Sequence, residues 1–221
     1  MATRPLCGVF VGGQSRRMGG HPKGLLPAPA TTGSPDGAGR VTLVARLVEL
    51  AQAHGLKVVL VGQNPDYATR SLPMLDDRPP GRGPLGGLAA LLIAAGEQGC
   101  DGAIALSCDL PFLGPSLLAR MLDAPTEAWL AVAPRWQPPD REQPIWEPLC
   151  ARYSLAFLPT LQAAIEQGIR SLQPLLSQGR TLPLSLDVDE QAQVRDWDRP
   201  EDLPVEVRAL LSVPRAPRPL G

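Results

Sequence analysis

The sequence predicts a three-layer α/β/α fold built on a mainly parallel, Rossmann-like sheet. Three short runs are almost wholly apolar, as expected for strands that are buried on both faces of a sheet. Segments with helical periodicity separate these runs, and this alternation is typical of a parallel sheet covered by helices on both sides. In such sheets ligands bind beyond the carboxyl ends of the strands, where the strand order reverses.

The predicted elements alternate along the chain in a regular order. The first strand covers Leu6–Val11, and the first helix runs from Thr42 to about His54. Four apolar residues share one face of this helix, namely Val44, Leu47, Val48 and Ala51. The remaining elements are a strand at Val58–Val61, a helix at Leu88–Glu97, a strand at Ala103–Ser107 and a helix that starts near Pro115.

Length and composition predict one domain. A chain of 221 residues that is 44% apolar can bury one sizeable core. We therefore expect a single domain over residues 1–212. The last nine residues, 213–221, contain three prolines and are expected to form a disordered tail.

Charge and apolar content exclude several classes of partner. The net charge of −1 provides no basic field for nucleic acid, and no apolar run is long enough to span a membrane. The chain enters a strand almost at once, without the pattern of a signal peptide, so we expect it in the cytoplasm. The four cysteines have unrelated spacings, and three lie in apolar runs, which favours buried free thiols.

The loop after the first strand is the most informative segment. It reads Gly12-Gly13-Gln14-Ser15-Arg16-Arg17-Met18-Gly19-Gly20-His21-Pro22-Lys23. Glycines allow backbone N–H groups to approach anionic oxygens closely, and Arg17 and Lys23 supply the fixed charge that a phosphate chain requires. The alternative for a glycine-rich loop alone is a surface turn, but the combination indicates a nucleotide site at the end of the strand.

This loop resembles the signature of the nucleotidyltransferases that make molybdenum-cofactor dinucleotides and nucleotide sugars, and most closely that of the molybdenum cofactor guanylyltransferases. The similarity covers about residues 5–205. It implies a fold of the GT-A type, with a nucleotide- and metal-binding half (1–113) and an acceptor-binding half (114–212). It also implies that Phe10, Val11, Gly12 and Gly13 contact the nucleotide and that Arg17 and Lys23 are catalytic.

Asp109 is the second candidate. It emerges from the apolar run that ends at Cys108, where a carboxylate can hold a hard cation such as Mg²⁺. A cap on the helix near Pro115 is an equally good interpretation of the local sequence. The resemblance favours the metal, because Cys108-Asp109-Leu110-Pro111 is similar to the metal-binding segment of the family. Asp109 is then a catalytic, nucleotide-binding and metal-binding residue.

An acidic segment near the C-terminus supplies the third candidate. It reads Asp196-Trp197-Asp198-Arg199-Pro200-Glu201-Asp202. The dipole of a following helix explains Glu201 and Asp202. Asp198 occupies the second acidic position of a family pattern, so the resemblance makes it a second metal ligand.

The recognition of the base is predicted from the resemblance alone. Asp77 aligns with a family aspartate that binds guanosine, with Asp76 as the alternative. A carboxylate that accepts from guanine N1–H and N2–H₂ prefers guanine to adenine. Gly86, in the run Gly83–Leu88, aligns with a family segment beside the nucleotide; a plain glycine turn is the alternative.

Three positions differ from the family pattern or have a second interpretation. Pro22 stands where the family usually has Asp, and a proline there resembles the relatives that make cytidylyl or sugar nucleotides. Val61 stands near a usual Asn, with Gln63 close by, and like Pro22 it departs from the guanylyl pattern. Arg170 could pair with the acceptor phosphate, although solvating a helix end is the commoner role.

The resemblance implies that GMP is transferred from GTP to the phosphate of molybdenum-bearing molybdopterin, with Mg²⁺ and release of pyrophosphate. Transient contact with molybdoenzymes is a further expectation. Two alternatives remain, a cytidylyl or sugar-1-phosphate nucleotidyltransferase and a non-catalytic nucleotide-binding module. The presence of Arg17, Lys23 and Asp109 together argues against the second.

Overall fold

A computed structural model describes residues 4–13, 15–29, 41–67, 71–139 and 141–211. The predicted tail at 213–221 and Gln14 of the glycine-rich loop lie outside this part. The strands are β1 (Leu6–Phe10), β2 (Val58–Val61), β3 (Met74–Leu75), β4 (Gly102–Ser107), β5 (Ala131–Trp136), β6 (Ile145–Trp146), β7 (Cys150–Ser154) and β8 (Thr181–Leu184). The helices are α1 (Leu43–Ala53), α2 (Pro84–Glu97), α3 (Pro115–Asp123), α4 (Leu158–Glu166), α5 (Gln173–Gln178), α6 (Val188–Gln193) and α7 (Val205–Leu210).

The described strands form one sheet in the order β3-β2-β1-β4-β7-β5-β6, and β8 pairs with β5. The pairs β1–β2, β1–β4, β2–β3 and β5–β8 are parallel, whereas β7 runs antiparallel to both β4 and β5. The predicted three-layer fold with a mainly parallel sheet is confirmed, with an antiparallel strand inserted in its second half.

Helices cover both faces of this sheet. One core lies between the sheet and the helices α2, α4 and α5, and includes Leu88, Leu91 and Leu161. The other lies between the sheet and α1 and α3, and includes Leu47 and Leu117. In the described part of the chain, no helix has the length and apolarity needed to cross a membrane.

The predicted strands and the first helix agree with the structure to within one residue at each end. The predicted second helix begins too late, because α2 starts at Pro84 rather than Leu88. Pro84 suits the first helical position, and Gly83 before it has φ +56°, a conformation that favours glycine. Gly86 and Gly87, which suggest a turn in the sequence, are buried within this helix instead.

Strand β1 lies between β2 and β4, and the connections on its two sides leave in opposite directions. Its last residue, Phe10, is aligned with Val61 of β2 and with Ser107 of β4. The loops that follow all three strands therefore meet at one edge of the sheet, at the point where its order reverses.

Candidate active site

A cavity of about 420 Å³ opens where these loops meet. Its size is within the range typical of small-molecule sites. Its lining includes Phe10, Val11, Gly12, Gly13, Ser15, Arg17, Lys23, Val61, Gly62, Tyr67, Asp77, Gly83, Pro84, Ser107, Cys108, Asp109, Leu149 and Asp198. All of the predicted site residues except Gly86 therefore border one space.

The loops after β1 and β2 pack backbone against backbone. Gly62 has φ +103°, and a Cβ on it would lie 2.7 Å from the Cα of Gly12. Gly13 has φ +118° and open space around it. The N–H of Gly12 donates to the Val61 carbonyl at 3.3 Å, so the backbone donor predicted at Gly12 already has a partner in this structure.

Lys23 lies at the centre of the charged groups. Its Nζ donates to Asp109 Oδ2 at 2.9 Å and to Asp198 Oδ1 at 2.7 Å, and its side chain is 13% exposed. Burial lowers the pKa of Lys23, but the two carboxylates outweigh it and hold the pKa above its ordinary value. The ammonium group is therefore charged at neutral pH and is shared between two carboxylates.

Both carboxylates have a second partner. Ser107 Oγ donates to Asp109 Oδ1 at 2.5 Å, and Arg17 Nη1 donates to Asp198 Oδ2. The hydrogen bond from Lys23, followed by the charges of Lys23 and Arg17, lowers the pKa of Asp198. The helix-cap interpretation of Asp109 is wrong, because Gly114 is the N-cap of α3 and no side chain caps it.

The turn that carries Lys23 fits tightly against the cavity floor. Pro22 precedes the 3₁₀ turn Lys23–Leu25 and is buried. A Cβ on Gly24 would lie 2.7 Å from the Tyr67 hydroxyl and 3.1 Å from Cys108, so this position requires glycine. These contacts fix the position of the main chain from which the Lys23 side chain extends into the site.

The donor set fits a magnesium ion. Asp109 and Asp198 direct one oxygen each at the same ammonium group, so a divalent cation between them would meet two hard oxygen ligands. No group of three His, Cys, Asp or Glu side chains within the described ranges could hold a metal. Phosphate oxygens of a nucleotide would have to complete the coordination, which is the usual arrangement for Mg²⁺.

The opposite end of the cavity carries Asp77. It is half-buried, and burial, followed by the charge of Asp76, raises its pKa. Asp76 is exposed and does not border the cavity. The position of Asp77 at the cavity therefore agrees with the preference for Asp77 over Asp76.

Gly86 lies behind this end of the cavity. Its carbonyl accepts from the N–H of Arg78 at 3.0 Å, and a Cβ on it would lie 2.6 Å from the Pro79 carbonyl. It allows the segment after Asp77 to pack on α2, while Gly83 and Pro84 border the cavity. The structure thus gives Gly86 a packing role beside the predicted nucleotide contact.

Of three further positions noted in the sequence, Val61 borders the cavity, whereas Gln63 and Arg170 do not. Val61 is buried and borders the cavity, whereas Gln63 is exposed and lies outside its lining. Arg170 is exposed and is also not part of this lining. The structure therefore does not bring Arg170 to the charged centre.

Sequence analysis missed two polar side chains. The Tyr67 hydroxyl is buried below the cavity and has no hydrogen-bond partner within the described residues. Glu147 follows β6 and accepts from Trp136 Nε1 at 2.6 Å. Burial raises the pKa of Glu147 to about 7; the Trp136 bond opposes this shift, and Asp196 and Asp109 add to it. Tyr67 belongs to no motif, and Glu147 lies in a stretch, Glu147–Tyr153, that is similar to the family but to which the sequence assigns no role.

Glu201 and Asp202 lie in the first turn of the 3₁₀ helix Pro200–Asp202, which is where the helix-dipole interpretation expects acidic residues. The Asp202 carboxylate has a further role, because it faces back along the chain. Its Oδ2 accepts from the N–H groups of Asp198 and Arg199, at 3.1 and 2.7 Å. It therefore holds the turn on which Asp198 is placed.

Comparisons with known proteins show the family of this chain. Residues 7–182 match the family of MobA-like NTP transferase domains. A probable molybdenum cofactor guanylyltransferase of Opitutus terrae is 28% identical over 200 residues, which cover 88% of this chain and 90% of that protein. The molybdenum cofactor guanylyltransferase of Shewanella loihica is 32% identical over 142 residues, 62% of this chain and 64% of that protein.

Solved structures share the fold. Molybdopterin-guanine dinucleotide biosynthesis protein A of Archaeoglobus fulgidus has a TM-score of 0.66 and 21% identity, covering 93% of this chain and 98% of that one. 2-C-methyl-D-erythritol 4-phosphate cytidylyltransferase of Thermus thermophilus has a TM-score of 0.62 and 19% identity, covering 96% of this chain and 100% of that one. At these identities the similarity concerns the fold alone.

Proposed function

Because the chain belongs to the family of MobA-like NTP transferase domains, we propose that it transfers GMP from GTP to the phosphate of molybdenum-bearing molybdopterin, forming molybdopterin guanine dinucleotide and pyrophosphate. Relatives named as molybdenum cofactor guanylyltransferases support the choice of substrates. The observation that carries the proposal is Lys23, held between two carboxylates at the carboxyl edge of the sheet.

The reaction requires positioning and charge rather than a protein nucleophile. A phosphate oxygen of the acceptor attacks the α-phosphorus of GTP in line, and the bond from that phosphorus to the pyrophosphate oxygen breaks. Lys23 and Arg17 neutralise the phosphate oxygens after exchanging their carboxylate partners for the triphosphate. Gly13 is exposed and has no side chain, so phosphate oxygens can come close to its backbone N–H.

We assign the metal site to Asp109 and Asp198, with Mg²⁺ as the ion. When bound, the ion would supply positive charge that offsets the negative charge on the transferring phosphoryl group and on the leaving pyrophosphate. Ser107 orients the Asp109 carboxylate through its hydrogen bond, whereas the Asp198 carboxylate becomes free for the ion when Arg17 and Lys23 turn to the triphosphate.

Asp77 selects the base in this proposal. Its half-buried carboxylate accepts hydrogen bonds from guanine N1–H and N2–H₂, at the end of the cavity away from Lys23. Adenine presents the wrong donors on the corresponding edge. The second half of the chain, 114–212, then faces the acceptor.

A cytidylyltransferase is the second candidate, and Pro22 and Val61 favour it. Neither residue contributes a polar contact to a guanine, and Val61 presents only an apolar wall. The phosphate- and metal-binding groups would be the same in both enzymes, so only the choice of base separates them.

We also place the reaction in the cytoplasm, followed by transfer of the product to a molybdoenzyme during transient contact. The four cysteines Cys7, Cys100, Cys108 and Cys150 are free thiols, which is the usual state in a reducing compartment.

Release of pyrophosphate tests the proposal. The purified protein is assayed with Mg²⁺ and each of four nucleoside triphosphates, with and without molybdopterin prepared anaerobically, and Asp109→Asn serves as the inactive control. We expect release only with GTP and only when molybdopterin is present. A clear preference for CTP would replace the guanylyl assignment by the cytidylyl one, and binding of GTP without any turnover would indicate a binding module.

A further inference from the structure

The segment from Asp196 to Asp202, which we call the closing loop, lies against the loop that carries Asp109. The N–H of Trp197 donates to the Asp109 carbonyl at 3.0 Å, and the Trp197 side chain is buried. The ring of Phe112 packs edge-on against the Trp197 ring, with centroids 6.1 Å apart. The start of the closing loop is thus fixed to the site by one main-chain bond and one aromatic contact.

Asp202 fixes the other end of the closing loop. A single oxygen, Oδ2, accepts from two successive backbone N–H groups, those of Asp198 and Arg199. A charged acceptor shortens and strengthens such bonds. The Asp202 carboxylate therefore acts directly on the main chain at Asp198, in the manner of a helix cap placed on the 3₁₀ turn Pro200–Asp202.

The position of the main chain at Asp198 decides where its short side chain points. Its two oxygens bind the two cations of the site, Lys23 at 2.7 Å and Arg17. A shift of the backbone at residue 198 would move both oxygens away from these partners. A change at Asp202 can thus reach the phosphate-binding cations without touching them.

We propose that Asp202 is a positioning residue for the nucleotidyl transfer, and that it acts through Asp198. It holds the main chain so that the Asp198 carboxylate faces Lys23 and the metal ion that accompanies the triphosphate. This inference rests on the proposed function, since it assigns Asp202 to the same site. A purely local cap would instead affect stability alone.

A double-mutant cycle tests the connection, with Asp202→Ala, Asp198→Asn and the double variant. Binding of fluorescent mant-GTP in the presence of Mg²⁺ and the kcat of GMP transfer are both measured. We expect Asp202→Ala to weaken binding and lower kcat about tenfold or more, since small misplacements have such effects. The double variant should be no worse than Asp198→Asn, because the two changes remove the same interaction.

Two further variants separate positioning from stability. Asp202→Asn keeps an oxygen that can accept both N–H groups and should retain binding and kcat to within about threefold, since Asn caps as well as Asp. Glu201→Ala removes the exposed neighbouring carboxylate and should change neither. Thermal unfolding of every variant shows whether the protein remains folded.

Several results would overturn the proposal. One is that the losses of binding and kcat in the two single variants add up in the double variant. Another is that Asp202→Ala loses thermal stability while its binding and kcat stay normal. A third is that Glu201→Ala loses as much binding and kcat as Asp202→Ala. If the unmodified protein binds mant-GTP but transfers no GMP to molybdopterin, the proposed function fails, and the binding measurements still decide the role of Asp202. If it binds no mant-GTP at all, both fail.

Discussion

Replacing Glu147 by glutamine should stabilise the protein, and more so at alkaline pH. Glu147 is half-buried, and no Lys, Arg or His forms an ion pair with it in the part of the chain that the structure describes. Its only hydrogen bond among those described comes from Trp136 Nε1, at 2.6 Å. A glutamine keeps the oxygen that accepts this bond and removes the charge.

The magnitude follows from the pKa of Glu147, which burial raises from 4.5 to about 7. At about 1.4 kcal/mol per pKa unit, ionisation in the native state costs about 3 kcal/mol. Because the native carboxyl binds its proton more tightly than the unfolded one, stability is lost as the pH rises from about 4.5 to 7. The buried amide of glutamine offsets part of the gain, so we expect Glu147→Gln to add about 1–3 kcal/mol at pH 8 and less than about 1 kcal/mol at pH 5.

Urea unfolding at pH 5 and pH 8, followed by circular dichroism, measures this difference. Glu142→Gln is the matched control, because Glu142 lies five residues earlier and is exposed, so its free energy of unfolding should change little at either pH. The reasoning is refuted if Glu147→Gln is no more stable than the unmodified protein at pH 8, or if its gain is the same at both values.

Three other changes test the site and the backbone around it. Lys23→Ala should lower kcat by at least tenfold and raise the KM for GTP less, because charge moves onto the leaving pyrophosphate during transfer; steady-state kinetics with an effect confined to KM would contradict this. Asp77→Ala should reduce the preference for GTP over ATP by about 2–4 kcal/mol in competition assays while leaving Mg²⁺-dependent transfer of GMP measurable, and an unchanged preference would remove Asp77 from base recognition. Gly62→Ala should cost about 2–3 kcal/mol in urea unfolding, since its Cβ would lie 2.7 Å from Gly12 Cα. Gly99→Ala, with φ +68° and no atom within 4 Å, isolates the conformational part and should cost less, and equal losses would show that the contact with Gly12 is unimportant.

The sequence predicted the parallel half of the fold well because each strand there is a continuous apolar run. It did not predict β3 or β6, since two-residue strands have no periodicity to detect, and it placed no strand at β5, β7 or β8. The start of α2 was missed for a different reason. Gly86 and Gly87 suggest a turn locally, but they are glycines because Pro79, Phe10 and Val61 pack against the helix at these points.

The same distinction applies to the site. Strand-end residues such as Gly12, Gly13 and Asp109 could be predicted to meet, because parallel strands end at one edge. The pairing of Asp202 with the main chain at Asp198, and that of Glu147 with Trp136, depends on how loops turn. Such contacts follow from tertiary packing, which no local pattern records.

The place of β7 in the sheet has a consequence for how the chain folds as it is synthesised. Strands β1, β2 and β4 can pair once residue 107 has emerged, but β7 separates β4 from β5. Strand β5 and its partner β6 must therefore wait for Cys150–Ser154 before they can join the sheet. Between the synthesis of β4 and that of β7 the edge of β4 has no partner strand. At about 5–20 residues per second this interval lasts a few seconds, during which the open edge of β4 is available to other chains. The length of this interval is set by the distance along the chain between β4 and β7.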